Sequence, residues 1–74
     1  MLIITHHARQ RMQARGLTEG NIYWCIAANH YYIQNNGTRH YSRVYDNGNS
    51  SVHVITDGNR LVSCWIRGRL DPNV

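Results

Sequence analysis

His7, Arg11 and Arg15 recur at every fourth position in the stretch His-Ala-Arg-Gln-Arg-Met-Gln-Ala-Arg-Gly. In an α-helix that spacing stacks one imidazole and two guanidinium groups along a single stripe. Imidazole moves a proton near neutral pH and guanidinium holds phosphate through forked hydrogen bonds, so the stripe suits chemistry on a phosphodiester. Ordinary roles compete with that one. His7 can cap or pack a helix start, and Arg11 and Arg15 can form a solvated face, arginine being a good helix former. His6 points about 100° away around the helix and is incidental.

A second set of residues lies further along. Arg39, Tyr41, Arg43 and Tyr45 alternate cation with ring, at steps of roughly 7 Å on one side of a strand. Arginines there would neutralise a nucleic-acid backbone while tyrosines stack bases. The competing reading makes the tyrosines core and the arginines a rim around it. Ser63 and Tyr41 offer hydroxyls that meet His7 only if the first helix crosses near them, and Arg67 is a further cation on a late strand.

Charge points the same way. The 74-residue chain carries a formal net charge of +4, and its 8 basic residues are all arginine. Arginine is preferred over lysine where planar, bidentate contact with phosphate or stacking on bases is required. The excess attracts nucleic acid or an acidic protein without choosing between them.

Several chemistries find no support. There is no glycine-rich phosphate loop and no Gly-x-Ser-x-Gly elbow, and 4 carboxylates, mostly at expected caps and turns, are too few for a two-metal nuclease. Zinc fits poorly, because the histidines lack paired-ligand spacing and Cys25 and Cys64 lie far apart. Any catalysis is therefore expected to be metal-independent, with no cofactor. The cysteines read as buried free thiols. No run approaches membrane-spanning length, and a cytoplasmic location is the default.

The elements that must position these groups follow from local signals. Leu2, Ile3 and Ile4 form an edge strand or an extended entry, and Thr5 caps a first helix over residues 6–15, with Ala8 and Met12 facing the core and Gly16 closing it. Thr18 caps a second helix carrying Ile22, Trp24, Cys25, Ile26 and Ala28. From Tyr31 the period becomes two, and turn signals at 35–37, 46–49 and 57–59 mark out strands over 31–34, 38–45, 51–56 and 60–67. Alternation points Val52, Val54, Val62, Cys64 and Ile66 toward the helices. His53, Leu61, Ser63, Trp65 and Arg67 then occupy the opposite face. The second strand is undecided between His40, Ser42 and Val44 on one side and Arg39, Tyr41, Arg43 and Tyr45 on the other. Residues 71–74, with Pro72, read as a tail.

The opening of the chain, His7-Ala8-x-x-Arg11-Met12-x-x-Arg15-Gly16 followed by Leu17-Thr18-Glu19, resembles a small bacterial and phage family of uncharacterised domains. The typical pattern of that family is Ile-Thr-x-His-Ala-x-x-Arg-Met-x-x-Arg-Gly-Ile-Ser-Glu. The match covers about the first quarter of the chain, and the later meander agrees only in its strand pattern. That family is similar to the barnase, EndoU, colicin and RelE-like ribonuclease toxins, which place helices before a four-stranded antiparallel sheet. The resemblance implies RNA cleavage by attack of the 2′-hydroxyl on the adjacent phosphate. By position it makes His7 the base, Arg11 the phosphate clamp and Ser63 the late-strand hydroxyl. The chain departs from the pattern at Val62-Ser63-Cys64, where a threonine after the valine is usual.

The resulting expectation is one α+β domain over residues 1–70 of the RelE/barnase-like kind, with two N-terminal helices on one face of a four-stranded antiparallel β-meander. The expected function is a metal-independent endoribonuclease toxin of toxin–antitoxin, mobile-element or phage type. In that reading His7 exchanges the proton, Arg11 together with Arg15 or Arg67 stabilises the phosphorane, and Arg39, Tyr41 and Arg43 hold RNA. An acidic antitoxin would be the partner. The alternatives are a noncatalytic RNA-binding or protein-binding regulatory module, and a structural homodimer built on exposed Tyr and Trp.

Overall fold

The computed structural model describes residues 2–45 and 48–68. Asp46 and Asn47 of the expected second turn, and the 71–74 tail, lie outside that range. The elements in chain order are β1 (Ile3–Ile4), α1 (His6–Arg15), α2 (Glu19–Ala27), β2 (Tyr31–Ile33), β3 (Arg39–Val44), β4 (Ser51–Asp57) and β5 (Arg60–Arg67).

Each helix starts where its cap demands. The Thr5 hydroxyl accepts from the Ala8 amide at 3.1 Å and donates to the Leu61 carbonyl at 2.9 Å, so one side chain both begins α1 and ties it to β5. Gly16 ends α1 in the left-handed region at φ 69°, where its amide and that of Leu17 return to the last turn. Thr18 and Asn21 form a reciprocal capping box for α2. The adjacent Tyr23 and Trp24 are reconciled by splitting them: Tyr23 faces solvent, while Trp24 stacks on Tyr45 with ring centroids 4.7 Å apart. Neither helix is long and apolar enough to cross a membrane.

The sheet corrects the four-stranded expectation. It has 5 strands in the order β1-β5-β4-β3-β2 and is mixed, because β1 lies parallel to β5 while β2 to β5 form the antiparallel meander. The architecture is α+β, with both helices on one sheet face. There Ala8, Met12, Leu17, Ile22 and Cys25 meet Tyr41, Tyr45, Val52, Val54, Leu61 and Cys64 in one buried cluster. The two thiols are free and buried as expected, and burial pushes Cys25 up to about 12.

A β-bulge overturns the expected faces at the start of β5. Ile55 pairs with Ser63 but Thr56 pairs with Leu61, so Val62 is the extra residue. Simple alternation sends Leu61 outward and Val62 inward. The structure does the reverse, leaving Leu61 at 0% exposure and Val62 at 38%. The bulge lets Leu61 enter the core while Trp65 remains on the opposite face. We therefore expect Leu61→Ala to cost about 2–5 kcal/mol in urea unfolding and Val62→Ala less than about 1 kcal/mol. Equal costs would place the bulge elsewhere.

Candidate functional site

The sheet separates the residues that the sequence offered as one catalytic group. Ala8 and Met12 turn α1 toward the core, leaving His7, Arg11 and Arg15 on its exposed flank. This stripe lies on the helix side of the sheet, since the Arg15 and Arg11 charges partly offset the rise that burial imposes on the Cys64 thiol. Ser63 precedes Cys64 on β5 and pairs with Ile55, so its side chain occupies the opposite face. His7 and Arg11 therefore do not converge with Ser63.

The expected RNA-binding row is divided: Tyr41 and Arg43 turn toward the core, and Arg39 stays exposed. Tyr41 pairs with Val54 and Arg43 with Val52, which places Arg39, Tyr41 and Arg43 on the helix-covered face. Tyr41 is buried at 7% exposure. Arg43 lies 4.2 Å over the Trp24 ring, and its Nη1 donates to the Trp24 carbonyl at 2.8 Å. Arg39 donates to the Tyr41 hydroxyl at 3.3 Å and sits over the Tyr31 ring. The physical reason is area. Two large rings gain more from the core than from water, and the guanidinium stems follow them to its rim.

The other side of the sheet carries a different constellation. Among the described residues no helix or loop covers it. Tyr32 pairs with His40 across β2 and β3, Ser42 with His53 across β3 and β4, and His53 with Trp65 across β4 and β5. One ring from each of four strands thus meets its neighbours. His53 and Trp65 stack at 4° with centroids 5.2 Å apart, and the His40 ring stands edge-on to Trp65 at 5.1 Å.

Hydrogen bonds thread these groups into a line. The Tyr32 hydroxyl lies 2.7 Å from His40 Nδ1, His40 Nε2 lies 3.0 Å from His53 Nδ1, and His53 Nε2 lies 2.9 Å from Ser51 Oγ. All four imidazole nitrogens are engaged. With both rings neutral the line has two self-consistent proton arrangements, one running from Ser51 to Tyr32 and one running back. Its two ends are hydroxyls, those of Tyr32 and Ser51. His30 adds a looser contact, its Nδ1 3.5 Å from Ser42 Oγ.

The electrostatics favour neutral rings. Burial holds His40 below the ordinary imidazole range, and burial first, then the charges of His40 and Arg67, does the same for His53. Arg67 pairs with Ser51 across β4 and β5, and of the arginines proposed from sequence it is the one whose charge reaches this cluster. Beside Ser51 lies an open recess of about 260 Å³ lined by Val44, Gly48, Asn49, Ser50, Ser51 and Arg67. Gly68 permits this close packing: at φ 81° a Cβ would sit 2.6 Å from the Asn49 carbonyl oxygen. Among the described residues no three of His, Cys, Asp or Glu are grouped to hold a metal ion.

Tyr32, His40 and Ser51 were not among the residues proposed from sequence, and His53 and Trp65 were placed on this face without a role. The available signal was His40-Tyr41-Ser42 set against Ser51-Val52-His53. Each puts an imidazole and a hydroxyl on the same side of its strand, and antiparallel pairing brings the two sides together. Comparison with protein-family models, curated proteins and solved structures gives no match.

The depressed histidines fix the direction of a pH effect. Between the lowered folded values and the ordinary value of about 6.5, the unfolded chain binds more protons than the folded one. Their contribution is fully present above that ordinary value and is lost as pH falls through the folded values. We expect the urea midpoint to drop between about pH 7.5 and about pH 5, and the paired substitution His40→Gln with His53→Gln to remove most of that slope. An unchanged slope would mean the two rings titrate normally.

Proposed function

We propose that this protein cleaves single-stranded RNA at the open sheet face, without a metal, using His53 and His40 in place of His7. The observation that carries this reading is the hydrogen-bonded imidazole pair, with the Trp65 ring stacked on His53 and the Arg67 charge acting on it, both from β5. RNA brings its own nucleophile. A ribose 2′-hydroxyl that takes the place of Ser51 at His53 Nε2 would yield its proton to a neutral imidazole, and the oxygen would attack the adjacent phosphorus. Charge on the phosphorane would be met by Arg67, and the imidazole pair would return a proton to the departing 5′-oxygen. Trp65 and Tyr32 would stack the flanking bases.

The cation excess supports attraction to RNA or to an acidic inhibitor that covers this face, as in a toxin–antitoxin pair. A second reading, self-association, is favoured by β2, a sheet-edge strand whose Tyr31, Tyr32 and Ile33 are all exposed. If β2 edges pair, Ile33→Lys shifts the protein to a smaller species on size-exclusion chromatography, and an unshifted elution removes that reading.

Cleavage is tested with a single-stranded RNA in the presence of a chelator. The expected products end in a 2′,3′-cyclic phosphate, with His53→Ala about a hundredfold or more slower and His7→Ala unchanged. Binding without cleavage would leave a noncatalytic RNA module. Equal loss in His7→Ala would return the chemistry to the helix stripe.

A further inference from the structure

Ser51 stands where an activated nucleophile stands. Its Oγ lies 2.9 Å from His53 Nε2, and the other nitrogen of that ring lies 3.0 Å from His40 Nε2, with the Tyr32 hydroxyl 2.7 Å beyond. A hydroxyl, a base within hydrogen-bond reach and a third group that orients the base are together the signature of covalent catalysis. Here the orienting group is a second imidazole, itself fixed by a tyrosine. Ser51 and Arg67 together line the open recess of about 260 Å³.

We propose that Ser51 is the nucleophile of a second activity at this face, the hydrolysis of small activated esters through an acyl-serine intermediate. The proposal is independent of RNA cleavage, in which the substrate supplies the attacking hydroxyl and Ser51 is displaced. In the first step Ser51 Oγ bonds to the carbonyl carbon and its proton passes to His53 Nε2, while the negative charge on the carbonyl oxygen faces Arg67. The carbon–oxygen bond to the alcohol portion then breaks, and the departing oxygen takes the proton from His53. In the second step water attacks the acyl carbon and gives one proton to His53. That proton returns to Ser51 as the acid leaves. His40 is a positioning residue throughout: its Nε2 accepts from His53 Nδ1–H, which keeps Nε2 of His53 free to accept the serine proton.

A fluorophosphonate probe tests this with no RNA present. Serine oxygen bonds to phosphorus, fluoride departs, and the serine proton remains on His53. The expected result is one probe per chain, mapped to Ser51 by peptide mass spectrometry, with labelling that rises with pH as His53 becomes neutral. His53→Ala should slow labelling about a hundredfold or more, and His40→Ala should slow it less while moving the pH midpoint. Ser51→Ala should abolish labelling yet retain the wild-type circular dichroism spectrum. Ser42→Ala and Ser63→Ala, on the same face, should label as wild type. An unlabelled wild type, or labelling that persists in Ser51→Ala, overturns the proposal. RNA cleavage measured on the same Ser51→Ala preparation should persist, so that the two activities fail separately.

Discussion

The pairing of Ser42 with His53 across β3 and β4 is the constraint from which everything at the open face follows. A strand repeats every two residues, so this register sends Val52 and Val54 into the core and Ser51 and His53 out of it in a single choice. It also sets His40 diagonally beside His53, within reach of a side-chain hydrogen bond. A slip of one residue would bury an imidazole and expose two valines. The hydrophobic core thus enforces the geometry of a polar cluster it does not touch.

The bulge at Val62 extends that logic to the last strand. Leu61 must enter the core beneath α1, where Thr5 anchors the helix to its carbonyl, yet Trp65 must lie against His53 on the other side. Unbroken alternation cannot meet both demands, and one extra residue does. Partial burial among these rings then disfavours added charge, which keeps both imidazoles neutral and leaves the hydrogen-bonded line from Tyr32 to Ser51 able to run in either direction. Arg67 supplies positive charge at one end of that line.

Features governed by neighbours in sequence were legible from the chain. Thr5, Gly16 and Thr18 set the helix limits because caps act over three or four residues, and the asparagine and glycine clusters marked the hairpins because tight turns need their backbone freedom. Features governed by distant partners were not. The parallel pairing of β1 with β5 spans nearly the whole chain, and the bulge depends on which β5 residue the helices demand. The arginine and tyrosine alternation of β3 looked like a nucleic-acid surface. In the fold Tyr41 and Tyr45 join the core and Arg43 packs over Trp24, while Arg39 stays exposed over the Tyr31 ring. His7 belonged to a strong local pattern, whereas the imidazole pair is assembled from two strands with unremarkable spacing in each.

The account rests on His40 and His53 sharing one hydrogen bond as neutral rings on the face opposite the helices. Long-range nitrogen–proton NMR of the imidazole side chains at neutral pH tests it most directly. Complementary tautomers, with one ring donating from the nitrogen that faces the acceptor of the other, and a scalar coupling across the His40 Nε2 to His53 Nδ1 contact, are what the geometry requires. Two uncoupled rings, each averaging between tautomers like a free histidine, would contradict it.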